Sequence, residues 1–226
     1  AGFSGREGPQ TRELQRRLLD SALNHVKQYG WSHSALVAAA HDLKLSPAVT
    51  GILPRREGQL VEHFISRCNA DLVSELDQRA AELAELRTHD RLALALRLRL
   101  QMLHPHVDSW PQALAVATQP ANLPHSLQLL TELVDQVWHA AGDRSTDINW
   151  YTKRALLAGV YTATELYMLT DYSPGYTDTW EALERRLHDA VVLGKVAADV
   201  KAGAGGLAQA LTNLRQQQEQ QQGQQQ

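Results

Sequence analysis

Ten histidines are spread along the 226 residues, and holding a metal is the first chemistry they suggest. His104 and His106 flank Pro105, but that spacing in a loop brings no evident carboxylate with it. A di-iron carboxylate bundle needs Glu-x-x-His on facing helices. Glu184 and His188 are one residue too far apart for that motif and read as a solvated helix face. Cys68 is the single cysteine, so disulfides within the chain and cysteine-rich zinc sites are excluded; a small buried side chain is its simplest role. No nucleophile elbow, P-loop or dinucleotide fingerprint occurs, and the "GAGG" at 203–206 follows no strand. The expectation is a protein that binds rather than catalyses.

For binding, the informative stretch is "STDINWYTKR", residues 145–154. Asp147 and Asn149 precede two adjacent aromatics, Trp150 and Tyr151, in what reads as the first turn of a helix. There side chains project from the body, so the aromatic pair reads as an exposed interface anchor. Arg154 follows one helical turn after Trp150, and then comes the nearly uncharged "ALLAGVYTATELYMLT". A guanidinium at the rim of an apolar interior offers a fixed fork of donors to a phosphate or another anionic head group. The competing reading is an ordinary ion pair with Asp147 or Glu132. Candidate cavity walls are Met102, Leu103, Trp110, Leu114, Leu129 and Leu133, together with Val137, Leu156, Leu157, Val160, Tyr161, Leu166 and Leu169; the same residues could simply fill a core.

The elements that must position these groups are helical. β-branched residues are sparse, and Leu, Ala, Gln, Glu and Arg recur at helical spacing. A first helix is expected over about Thr11–Tyr29, with Leu14, Leu18, Ala22 and Val26 on one face and Gly30 as its C-terminal stop. A short helix follows over Ser34–Leu43, and Ser46 with Pro47 opens a very short third one. A longer helix begins at Glu57. In "RLALALRLRLQML" the leucines alternate as in a strand, but the residues between them are Ala and Arg, so a helix buried over much of its circumference is expected. Prolines 105, 111, 120 and 124 divide the middle, and Leu127, Leu130, Val134, Val137 and Trp138 form one stripe from Ser126 to Ala141. Asp147 is the expected N-cap of the next helix and Asp178 that of the last long one.

With 43% apolar and 21% charged residues and a net charge of -3, the chain supports a real core and has no basic excess for a phosphate backbone. No stretch approaches the roughly 20 apolar residues of a membrane span. The first residue is Ala rather than Met, as in a processed or trimmed product, so no compartment is read from this end.

Three small helices ahead of a larger helical body resemble the layout of TetR-type regulators, carried here by "LVAAAHDLKLSPAVTGIL". The would-be recognition helix, Ser46 to Leu53, has two hydroxyls and no cation, whereas a DNA reader needs donors for base edges and cations for phosphates. The module looks like a retired DNA reader, and no nucleic-acid partner is expected. A ligand-responsive transcription regulator is the alternative that shares the fold.

The blocks "WPQALAVATQPANLPHSLQLLTELVDQVWHAAGD", "DRSTDINWYTKRALLAGVYTATEL" and "DYSPGYTDTWEALERRLHDA" resemble the mitochondrial lipid-binding accessory family of coenzyme Q (ubiquinone) biosynthesis, from about Gln10 to Val200. That resemblance implies an all-α, TetR-like fold with a hydrophobic cavity for isoprenoids or phospholipids, no cofactor beyond such a ligand, and a homodimer. It also implies a partner, the di-iron demethoxyubiquinone hydroxylase, served at the matrix face of the mitochondrial inner membrane. By residue, Arg154 would meet a phospholipid head, while Asp147, Asn149, Trp150 and Tyr151 would dock the hydroxylase. An amphipathic helix over about 200–215 would lay Leu207, Leu211 and Leu214 on the bilayer, although "AGAGG" stands where more apolar and basic residues are expected. The division this implies is a flexible start (1–10), a helix-turn-helix-like module (11–60), a lipid-binding body (61–199), the amphipathic helix (200–215) and a disordered Gln-rich tail (216–226).

Overall fold

The computed structural model describes residues 8–143 and 148–193, the side chains of 148 and 149 excepted, and among these the regular elements are all helical. In order they are α1 (Pro9–Tyr29), α2 (His33–Asp42), α3 (Glu57–Gln78), α4 (Ala80–Glu85), α5 (Thr88–Gln101), α6 (Trp110–Ala117), α7 (Leu123–Ala140), α8 (Ile148–Met168) and α9 (177–193). Short 3-10 turns lie at Pro47–Ile52, His104–Ser109 and Pro174–Tyr176. No described helix is long and apolar enough to cross a membrane.

The first helix buries Leu18, Leu19, Ala22, Leu23 and Val26, while Leu14 stays half-buried. It ends where Gly30 takes φ +67°, a conformation that a Cβ would strain. In α5 the alternating leucines resolve into helical spacing: Leu92, Ala93, Ala95, Leu96, Arg99 and Leu100 are buried, and Leu94 and Leu98 are half-buried. The expected third helix is a six-residue 3-10 turn, with the Ser46 hydroxyl accepting from the Ala48 amide. Its Thr50 is buried and the Gln15 amide donates to the Ile52 carbonyl, so the turn is stitched onto α1.

One aromatic cluster joins this N-terminal module to the rest. Trp31, Phe64, His106 and Trp110 meet edge to face or, for Phe64 and Trp110, tilted, with ring centroids 5.0–5.6 Å apart. The Trp31 indole donates to the Ser109 hydroxyl, and its amide donates to Gln112. At Gly58, near the start of α3, a Cβ would stand 2.2 Å from the buried Asn122 side chain, so only glycine lets the start of α3 pass the start of α7.

Three expectations from pattern need correction. Leu127 does not join the buried stripe of α7; it is 53% exposed, because α7 turns Leu133, Val134 and Val137 inward instead. Leu166 also faces solvent, since α8 buries Leu157, Val160, Tyr161, Thr164 and Met168, a stripe on the opposite side of the helix. The start of α9 is held by Asp171 rather than Asp178. The Asp171 carboxylate accepts from the Ser173 and Thr179 amides at 2.7 and 2.9 Å and from the Thr179 hydroxyl at 2.5 Å. Slight burial works against the charge, but these donors outweigh it and bring the carboxyl down to about 2. Asp171→Ala should cost about 1 kcal/mol in urea unfolding at neutral pH. The native carboxyl lies below its ordinary 3.8, so its contribution is complete above that value and vanishes as the pH falls through about 2.

Candidate functional site

The bundle holds two apolar cavities along α8, the first beside Lys153, Leu156 and Leu157 and the second beside Tyr161, Thr162 and Glu165. The first, about 210 Å³, lies among α5, α7, α8 and α9 and is walled by Leu92, Trp138, Leu156, Leu157, Leu187, Ala190 and Val191, with Lys153 its one charged lining residue. It borders the outer end of α9, where Val191, Val192 and Leu193 are exposed. The second, about 160 Å³, lies among α3, α5, α6, α7 and α8, between Leu114, Leu129, Leu130, Leu133, Trp110 and Tyr161. Both are smaller than the roughly 300–1,000 Å³ of typical ligand pockets.

The residues expected to line a cavity are distributed between these spaces. Leu157 lines the first, while Trp110, Leu133 and Tyr161 line the second. Met102 borders a separate cleft with Phe64 and Cys68, and Leu103 and Val137 are fully buried core residues that line neither apolar cavity.

Arg154 also lines neither cavity. It is 7% exposed and clasped: Nε and Nη2 donate to Asp135 Oδ1 at 2.7 and 2.5 Å, and Nη1 lies 3.5 Å from Asp143 Oδ2. Its guanidinium carbon sits 4.0 Å from the centre of the Trp150 ring. Among the described residues its acids are therefore Asp135 and Asp143, not Glu132. They follow from α7 and α8 running side by side, which brings residues 19 and 11 positions away into reach. Lys153 reaches Asp143 at 2.6 Å and lies 5.4 Å from the centre of the Trp138 ring, and the Trp138 indole donates to the Lys153 carbonyl. These charges fasten the first turns of α8 to the end of α7.

Outside this clasp, Trp150 is half-buried and Tyr151 is 70% exposed, their rings edge to face at 4.7 Å. Asp147, the Asn149 side chain and Leu207, Leu211 and Leu214 lie outside the described residues.

Sequence reasoning missed the polar end of the second cavity. Arg99 is 1% exposed, and Nε donates to Asn69 Oδ1 at 3.0 Å. Glu165 Oε1 accepts from the Trp110 indole and the Tyr161 hydroxyl, both at 3.1 Å. Burial pushes the Glu165 carboxyl up, against the pull of Arg99 and the two donors, and burial raises Tyr161 well above its ordinary value. The one available signal was a lone acid, Glu165, in an otherwise uncharged run. Among the described residues, no cluster of three or more His, Cys, Asp or Glu could hold a metal.

The N-terminal module places a 3-10 turn where a recognition helix would stand. Its 3-10 turn of Pro47–Ile52 has no cation, and Arg55 beside it is paired with Glu62.

An all-α body with an N-terminal three-helix module and cavities between its long helices defines the TetR-like class. A TetR transcriptional regulator from Nitrosomonas europaea superposes with a TM-score of 0.61, covering 79% of this chain and 98% of that one at 17% identity, a likeness of fold alone. The chain matches the COQ9 family over residues 123–194 and the N-terminal domain of the ubiquinone biosynthesis protein COQ9 over residues 12–41. It is 44% identical to the human mitochondrial ubiquinone biosynthesis protein COQ9 over 204 residues, 88% of this chain and 64% of the human one. It is 40% identical to COQ9-B of Xenopus laevis over 225 residues, 95% of this chain and 76% of the frog protein. The chain belongs to the COQ9 family. It spans just under two thirds of the length of its rat and human relatives.

Proposed function

We propose that this chain is a non-catalytic lipid carrier of ubiquinone biosynthesis, working as a homodimer on the matrix face of the mitochondrial inner membrane. It takes up an isoprenoid-tailed quinone precursor or a phospholipid and presents the precursor to the di-iron demethoxyubiquinone hydroxylase. The observation that carries this reading is the first cavity, whose wall is apolar apart from Lys153 and which adjoins exposed Val191, Val192 and Leu193. Such a wall replaces the bilayer environment at about 25 cal/mol per Å² of apolar surface. A volume of about 210 Å³ seats the end of a long tail rather than its whole length, so the exposed apolar end of α9 carries the remainder. An anionic head engages Arg154 only by displacing Asp135, whose side chain is half exposed.

Trp150 and Tyr151 form the docking patch. Because Trp150 also carries Arg154 on its face, Tyr151 is the cleaner probe. Tyr151→Ala should leave the unfolding midpoint unchanged while weakening hydroxylase binding about tenfold, or 1.4 kcal/mol. A titration of the variant against the hydroxylase that returned the native affinity would remove the patch from this account.

A further inference from the structure

We propose that Asp135 is a positioning residue for the docking patch: through Arg154 it holds the Trp150 ring in the orientation that the partner meets. This role rests on the docking reading of Trp150 and Tyr151 above.

Three side chains from two helices make the relay. Asp135 on α7 is half exposed, and its Oδ1 accepts from both Nε and Nη2 of Arg154. Arg154 follows Trp150 by one turn of α8, and its guanidinium carbon lies 4.0 Å from the centre of the Trp150 ring. A cation over an indole face is attracted by the ring's quadrupole. The ring is also met from the side, because Trp150 and Tyr151 stand edge to face at 4.7 Å. One end of the row is thus an acid open to solvent, and the other is the aromatic pair that faces the partner.

Asp135 decides where the guanidinium rests. Its two bonds are 2.7 and 2.5 Å long. Asp143 Oδ2 lies farther off, 3.5 Å from Nη1, and Lys153 holds the other Asp143 oxygen at 2.6 Å. Without Asp135, the longer contact to Asp143 is the one ion pair left to Arg154 among the described residues, and the face of Trp150 loses its fixed support. A half-buried indole freed in this way has to be ordered again when the partner arrives, and that ordering costs affinity. Aromatic anchors bind tightly where their surroundings hold them in place beforehand.

The test is titration of the di-iron hydroxylase against the full chain, native and as Asp135→Ala, Trp150→Ala and the double variant. Alanine suits a half-exposed helix position, so the fold survives the change at Asp135. Asp135→Ala should weaken binding about fivefold. In the Trp150→Ala background the same substitution should change affinity by less than about twofold. Asp135→Asn keeps an acceptor oxygen for Arg154 and should bind within about twofold of the native chain. In the free chain labelled with 5-fluorotryptophan, the fluorine resonance that Trp150→Phe removes should move in Asp135→Ala and return towards its native position in Asp135→Asn. Native affinity in Asp135→Ala, or an unmoved Trp150 resonance, overturns the relay and leaves the docking patch standing. A loss that persists with Trp150 already removed makes Asp135 a direct contact of the partner and overturns the relay too. Native affinity in both Trp150→Ala and Tyr151→Ala removes patch and relay together.

Discussion

Trp110→Ala should lower the unfolding free energy by about 3–5 kcal/mol, measured by urea denaturation. The indole is 1% exposed and packs against both Trp31 and Phe64, so truncation opens a void where the N-terminal module meets the bundle. It also removes one of the two donors to Glu165, leaving a buried carboxyl with Tyr161 alone. Such a loss is a large share of the roughly 5–15 kcal/mol that holds a domain together. Trp110→Phe should recover most of the packing and isolate the missing hydrogen bond, worth about 1–2 kcal/mol. A Trp110→Ala protein as stable as the native one would mean that the two halves are joined elsewhere.

Arg154→Ala should cost about 2 kcal/mol in the lipid-free protein. Deletion strands Asp135 and takes one of the cations from Asp143, whose side chain is buried, although Lys153 still neutralises Asp143 at 2.6 Å. It also leaves the Trp150 ring without the guanidinium on its face. A side chain whose role was only to greet a lipid head would leave lipid-free stability untouched. Unchanged unfolding of delipidated Arg154→Ala would therefore restore the head-group role and remove the clasp.

Local pattern carried much of the architecture and less of the site. The alternating leucines of α5 read as a helix because no β-branched residue stands between them, and that decision depends on neighbours in sequence alone. The start of α9 escaped the same reasoning. Asp178 has the right type and place, but the loop folds back so that Asp171 reaches the Thr179 amide first. Arg154 was identifiable as a cation at the start of an apolar helix, while its partners depend on how α7 packs against α8. Arg99 was less visible still. In a run of leucines an arginine reads as the wet side of a helix, and the partner of its Nε, Asn69, stands thirty residues earlier on α3. Buried polar groups are matched by tertiary neighbours, and periodicity holds no record of those.

The most direct measurement is mass spectrometry of organic extracts from the purified full chain, native and with Ala190→Phe, which fills the first cavity from its α9 wall. The carrier account predicts an isoprenoid quinone or phospholipid near one molecule per chain in the native protein and several-fold less in the variant. Native protein that comes away with no such lipid, or a variant that carries as much as the native chain, would contradict it.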